Sequence, residues 1–255
     1  MSTTPVTAPE TPEPQSSLSP IKRIFGVFFA PKATFQDIAR KPSWIAPVAI
    51  LMIIWFCLSV SLAKHADWVE ISKDQIAKSK FASRQFDQLN DDQKSRAYEQ
   101  AAERSKVIRY VRGVVGWPLL LVIFAGVYLG VFKLIGGART NFVTAFAITA
   151  FAHLPVGLKE LISIPVVFLK DPASIDPENF LASNPAAVFG NDLAPWQLVP
   201  LAFLDIFNIW ALVLVAIGFS AADPKKLPLG KSLGVVFGVT LAFMVFFTGL
   251  AWAFS

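Results

Sequence analysis

The sequence predicts an all-α protein: a polytopic membrane helical bundle with five transmembrane helices, an N-terminal interfacial helix and an extramembrane helical segment between spans one and two. Three observations carry this. Mean hydropathy is +0.53, and 16% of residues are charged, where soluble domains carry about 25%. Five apolar runs are each long enough to cross a hydrocarbon layer of ~30 Å at ~1.5 Å per helical residue. The short segments 22–41, 133–139 and 223–231 hold ten Lys and Arg while the 170–195 loop holds one. That asymmetry assigns the first three to the cytoplasmic side and the loop to the outside.

Residues 1–20 contain five prolines, several Ser and Thr and almost nothing apolar, too little to offset the entropy of ordering, so a disordered tail is expected. It lacks the basic start and apolar centre of a cleaved signal. Residues 21–42 mix Ile24, Phe25, Phe28, Phe29, Phe35 and Ile38 with five basic residues and one acid, Asp37, and are broken by Pro31. Such a segment suits the headgroup boundary or the underside of the bundle.

The bundle itself is assigned to 43–255. Span one is the charge-free run at about 43–63. Residues 64–112 then turn polar, with 11 basic and 8 acidic residues. The tetrads 72–75 (SKDQ) and 90–93 (NDDQ) resemble helix starts, so a helical hairpin outside the membrane is expected, with mixed charge solvating it. Span two covers about 113–132 and span three about 140–158. A short apolar continuation to 169 carries Pro165 and reads as a tilted extension or an interfacial piece. Span four is expected at about 196–220, as one helix with Asp205 inside it, and span five at about 232–254. Five crossings place the N-terminus in the cytoplasm and the C-terminus outside.

A carboxylate inside a span costs on the order of 3 kcal/mol on insertion scales and must find a partner. The candidate polar cluster is His153, Asp205 and Asn208. Depth arithmetic places His153 ~20 Å and Asp205 ~18 Å above the inner end of their spans, so the two could meet, with Asn208 one turn from Asp205. The cluster could be a proton or ion relay, or an interhelical polar clamp. Lys159 and Glu160 are expected to snorkel to the outer interface. Trp210 reads as core filling and Cys57 as a packing residue. The pairs Gly126/Gly130 and Gly234/Gly238 allow close helix approach within the bundle or between protomers.

Other chemistry lacks its parts. There is no phosphate-binding Gly-rich loop with Lys, no His-Glu-x-x-His pair and no Gly-x-Ser-x-Gly turn. No metal site, no cofactor and no enzymatic activity are therefore expected. The +5 net charge sits beside apolar spans rather than in an isolated patch, which speaks for membrane lipids as partners and against nucleic acid.

The order of these features resembles the Yip1-domain family, in its bacterial branch. The residues that carry the resemblance are 29–35 (FAPKATF), 41–47 (KPSWIAP), 136–142 (GGARTNF), 153–155 (HLP), 204–210 (LDIFNIW) and 216–219 (AIGF). The resemblance implies a five-span integral membrane protein without known enzymatic activity, located here in a bacterial inner membrane. Eukaryotic relatives bind small Rab-type GTPases and shape early secretory membranes. This chain departs from them in the inserted 64–112 segment and the short, Pro-rich N-terminus. The expected role is a scaffold or membrane-organising one through protein or lipid contacts. The alternative is a small transporter or ion-conducting component that uses His153, Asp205 and Asn208.

Overall fold

The computed structural model describes residues 17–176, 181–189 and 193–253, and all regular structure among them is helical. Most of the segment expected as a disordered tail, residues 1–16, lies outside the described residues. Order begins before residue 21: Ser19 caps α1 (Pro20–Phe29), and the Leu18 N–H donates to Asp37 Oδ2.

α1 and α2 (Pro31–Arg40) form a hairpin whose helices each begin with proline, which lacks the N–H that a first turn leaves unpaired. One face buries Val27, Phe35 and Ile38, and the opposite face leaves Ile21, Phe25 and Phe29 exposed. The hairpin is pinned by a buried ion pair, Arg23 Nε to Asp37 Oδ2 at 2.8 Å. Arg23 Nη1 also donates to Lys41 O at 2.9 Å and Ser43 Oγ at 2.7 Å.

α3 (Ile45–His65) is the first long apolar helix. α4 (Trp68–Lys78) follows at once, capped by Asp67, whose Oδ1 accepts from Val69 N and Glu70 N, both at 3.1 Å. The expected start at Ser72 is therefore corrected. Asp67 already satisfies the orphan N–H groups, and Ser72 is buried within α4. After α5 (Lys80–Phe86), α6 (Asp91–Val111) opens with a capping box between Asn90 and Gln93. α6 passes through a π-helical turn, Arg112–Gly116, directly into α7 (Trp117–Leu134), so Asp91–Leu134 is one helix of 44 residues.

α8 (Phe142–Ala152) and α9 (Leu154–Leu169) join at His153 and make one crossing of 28 residues, Phe142–Leu169, so the apolar continuation belongs to the span. A 3-10 turn (Pro172–Ser174) and the short α10 (Ala186–Phe189) lead to α11 (Pro195–Phe203) and α12 (Ile206–Ala222). These two are bent by 55° at Leu204–Asp205. Span four is therefore a broken helix and not the single one expected. α13 (Leu229–Ala253) ends the described chain. Four helices are long and apolar enough to cross a membrane, and five crossings result if the bent pair is one span.

Hydrogen bonds tie the connections into two ends. At one, Arg139 N donates to Asp223 Oδ2 at 3.3 Å and Lys226 Nζ to Gly137 O at 2.9 Å. α2 packs beside the last turns of α12 here. A Cβ on Gly218 would run into Ile148 and press on Phe35, so only glycine admits this approach. At the other end, Asp67 N donates to Pro172 O at 3.0 Å, and His65 Nε2 lies 3.2 Å from Lys170 O. The main core joins α1–α3, α7–α9, α12 and α13, with Phe132 and Phe219 stacked at 4.2 Å. A smaller core of Leu58, Leu62, Trp68, Ile71, Ala102, Val167 and Ile175 secures the second end.

Two aromatic and thiol expectations change. Trp210 is exposed and meets Phe28 of α1 edge-on at 5.5 Å, and Cys57 is also exposed. Their helices are apolar all round, so the sequence carries no period that fixes an inward face. Positions above Gly126, Gly130, Gly234 and Gly238 are open, with nothing within 4 Å of an added Cβ. Their close approach to another helix is not made inside this bundle.

Candidate functional site: a polar cavity beside a broken helix

Leu204 leaves the helix and Asp205 adopts an extended backbone, which makes Asp205 the N-cap of α12. Its Oδ1 accepts from Phe207 N at 2.9 Å and Asn208 N at 3.2 Å. A helix that starts inside a membrane exposes N–H groups that lipid cannot satisfy. An aspartate there supplies the acceptor and a charge matched to the positive end of the helix dipole. Oδ2 faces Lys159 Nζ at 2.9 Å and accepts from Ser183 Oγ, while Ile206 N donates to Ser183 O at 3.1 Å. Ser183, between spans three and four, thus lies against the break. Asp205 is wholly buried.

Lys159 does not snorkel outward. The expectation ended span three at residue 158, but α9 runs ten residues further, which leaves Lys159 ~15 Å inside the helix end and in need of a counter-ion. Glu160 beside it is buried too, not at an interface.

Of the three expected residues, Asp205 and Asn208 come together through the cap. His153 sits at the α8–α9 joint, donates from Nδ1 to Thr149 O at 2.8 Å and stacks on Phe124 at 5.7 Å. The contacts found at Asp205 are with Lys159, Ser183 and the start of α12, not with His153. The ring's bond to a carbonyl one turn back satisfies Nδ1 at the joint where α8 ends.

Beside this lock lies a cavity of about 280 Å³ between α3, the π-turn, α9 and the 181–208 segment. Its polar lining includes Arg109, Arg112, Lys159, Glu160, Asn184 and Asn208. Its apolar wall includes Trp55 and Trp117, stacked at 4.4 Å and 9°. Arg112 is exposed at the mouth and Trp55 is buried at 2%. Three cations and one carboxylate line the space, with Asp205 held behind Lys159. The geometry suits holding a polar or anionic group. Two signals for it were present in the sequence: a lysine ten residues inside an apolar segment, and an arginine at the first residue of another.

The Yip1 domain model matches residues 25–253. A curated relative, "Membrane protein YknW" of Bacillus subtilis (strain 168), is 24% identical over 224 residues, which cover 88% of each chain. No solved structure matches. The apolar helices and both matches agree on a multi-pass membrane protein. With 25–253 inside the match, this chain belongs to the Yip1 domain family.

Proposed function

We propose that the protein is a non-enzymatic scaffold or membrane organiser of the bacterial inner membrane, acting through lipid and protein contacts. The observation that carries this reading is the use made of Asp205. Both of its oxygens are engaged in holding α12, Lys159 and the loop at Ser183 in place, which is the work of a clamp. The α1–α2 hairpin supports the lipid half of the proposal. Exposed Ile21, Phe25 and Phe29 beside Lys22 and Lys32 form an interfacial surface. In this reading the hairpin end is cytoplasmic, as the basic segments 22–41, 133–139 and 223–231 require, and the α4–α6 end lies outside.

A transporter reading is favoured by one feature: a span broken at a buried charge, next to a polar cavity, is the arrangement in which transporters bind substrates. One set of liposome preparations separates the two. Wild type, Asp205→Asn and Asp205→Ala are compared for thermal stability and for proton and ion flux. The scaffold reading expects no flux above empty vesicles and a loss of stability in both variants. Wild-type flux that vanishes in a fully stable Asp205→Asn protein overturns it and installs the transporter.

A further inference from the structure

We propose that the α1–α2 hairpin stands inside one leaflet of the membrane, with phospholipid acyl chains on its exposed apolar stripe and anionic headgroups around its base. This deepens the lipid half of the scaffold reading and rests on it. A surface lying at the boundary is replaced by a shallow wedge that enters the leaflet, the cytoplasmic one in the orientation proposed above.

The first support is direction. α1 and α2 run antiparallel, since Arg23 pairs with Asp37 and a Cβ on Gly26 would run into Thr34. The turn at Ala30 and Pro31 is therefore the tip. Arg23 also donates to Lys41 O and Ser43 Oγ, so the base of the hairpin adjoins the chain entering α3. Two contacts fix which way the tip points. Phe35 of α2 lies against Gly218, near the Ala222 end of α12, and Phe28 of α1 meets Trp210. Trp210 lies ~12 Å further along α12 toward the break than Gly218 does. The hairpin thus runs up the side of a membrane span and does not lie across its end.

The second support is length and surface. Each helix has 10 residues, which at ~1.5 Å per residue is about half the hydrocarbon thickness. That is too short to cross and long enough to enter one leaflet. Ile21, Phe25 and Phe29 recur at every fourth position of α1 and are 67%, 61% and 85% exposed, so the most exposed side chain is at the tip. Acyl chains cover such a stripe without the penalty that water would impose. The turn is also closed as lipid requires. Ala30 N–H donates to Gly26 O at 2.8 Å, Ala30 O accepts from Thr34 N at 3.1 Å and from Thr34 Oγ1 at 2.9 Å, and Pro31 has no N–H to satisfy.

The third support is charge. Lys22 and Lys41 are exposed at the base, and Lys32 is exposed just past the tip. The hairpin's acid, Asp37, is already paired with Arg23. A layer of anionic headgroups complements that excess, as it does for other basic segments beside a membrane. Lys32 also sets the depth. Counted from Phe35 beside Gly218, it lies ~10 Å above the Ala222 end of α12, a distance over which a lysine stem can bring its ammonium back toward the headgroups. The wedge therefore stops short of the midplane.

The test uses the full chain in vesicles of phosphatidylcholine and phosphatidylglycerol. The exposed Cys57 is removed as Cys57→Ser, and a bimane fluorophore is attached at Ile21→Cys, at Phe29→Cys or, as an exposed reference on α6, at Glu99→Cys. The quenchers are iodide in the water and phospholipids brominated either near the headgroup or near the chain end. Iodide should quench the Phe29 label several-fold less than the Glu99 label, and the ratio of deep to shallow bromine quenching should be about twofold higher at Phe29 than at Ile21. Brominated phosphatidylglycerol should quench the Phe29 label about twofold more than brominated phosphatidylcholine at equal mole fraction, and the double variant Lys22→Gln/Lys41→Gln should lose that preference. Equal depths at Ile21 and Phe29 overturn the wedge and leave a hairpin lying flat at the boundary, with the scaffold reading intact. Iodide quenching of both labels as strong as at Glu99 overturns the wedge and the lipid half of the scaffold reading together. Equal quenching by the two brominated lipids overturns the assignment of anionic headgroups as the partner. If Phe29→Cys fails to fold, Phe25→Cys on the same stripe takes its place.

Discussion

Two buried ion pairs, one in the α1–α2 hairpin and one at the break inside span four, are built differently. Arg23 and Asp37 have side chains 4% and 6% exposed, and the guanidinium spends its donors on Asp37, Lys41 O and Ser43. Four of its five N–H donors are used, and the pair closes a hairpin. Lys159 and Asp205 have side chains 17% and 1% exposed. Here the carboxylate is saturated by the α12 N–H groups and Ser183, while the ammonium borders a cavity. A planar fork suits a sealed pin, and a point charge on a flexible stem suits a wall that faces space. The difference shows that one kind of contact can seal a hairpin in one place and border a cavity in another.

The largest expected effect comes from breaking the sealed pair. Asp37→Ala leaves Arg23 buried without its counter-ion and should cost about 3–5 kcal/mol, measured as a fall in thermal stability in detergent. Asp205→Ala should cost less, about 2–3 kcal/mol, because Lys159 can turn toward the cavity while the cap is lost. An equal or larger loss than in Asp37→Ala would remove the distinction between a closed and an open pair. Asp205→Asn sharpens it further. Asparagine caps as well as aspartate, so it should recover about 1 kcal/mol relative to the alanine variant in the same melting experiment.

Packing contrasts follow at smaller scale. Gly218→Ala pushes a methyl into Ile148 at the sealed end and should cost about 1–3 kcal/mol. Gly126→Ala and Gly234→Ala add a methyl to open space and should change monomer stability by less than about 0.5 kcal/mol. If those faces join protomers, as their spacing suggests, the same two variants will shift the oligomer distribution in cross-linking while leaving the melting temperature in place. A large stability loss from either would mean that the face is packed within one chain.

The Asn90–Gln93 capping box was legible because a cap is local: its partners lie three residues apart. The all-helical, multi-span architecture was legible because run length and composition state it directly. The Arg23–Asp37 pair was not read, since its members are separated by the Pro31 turn, although one acid among five bases was a usable sign. The break at Asp205 was hidden for a different reason. Apolar residues continue on both sides of it, and hydropathy does not register that Asp205 acts as a cap and not as a guest in a helix. Lys159 was misplaced because the span was ended at the first charge, when the charge was matched by a partner 46 positions later in the chain. Which face of α13 meets lipid was illegible in principle, because a helix apolar on all sides carries no phase.

The unbroken helix Asp91–Leu134 has a mechanical meaning. At ~1.5 Å per residue it is a rod of roughly 65 Å, about twice the hydrocarbon thickness, so half of it projects as an arm. A load applied to that arm has two destinations: it rotates α7 within the bundle, or it is absorbed where the hydrogen-bond ladder loosens, in the turn Arg112–Gly116. Arg112 and the Trp117 stack sit at that fulcrum, so force on the projecting arm is felt first by the mouth of the cavity.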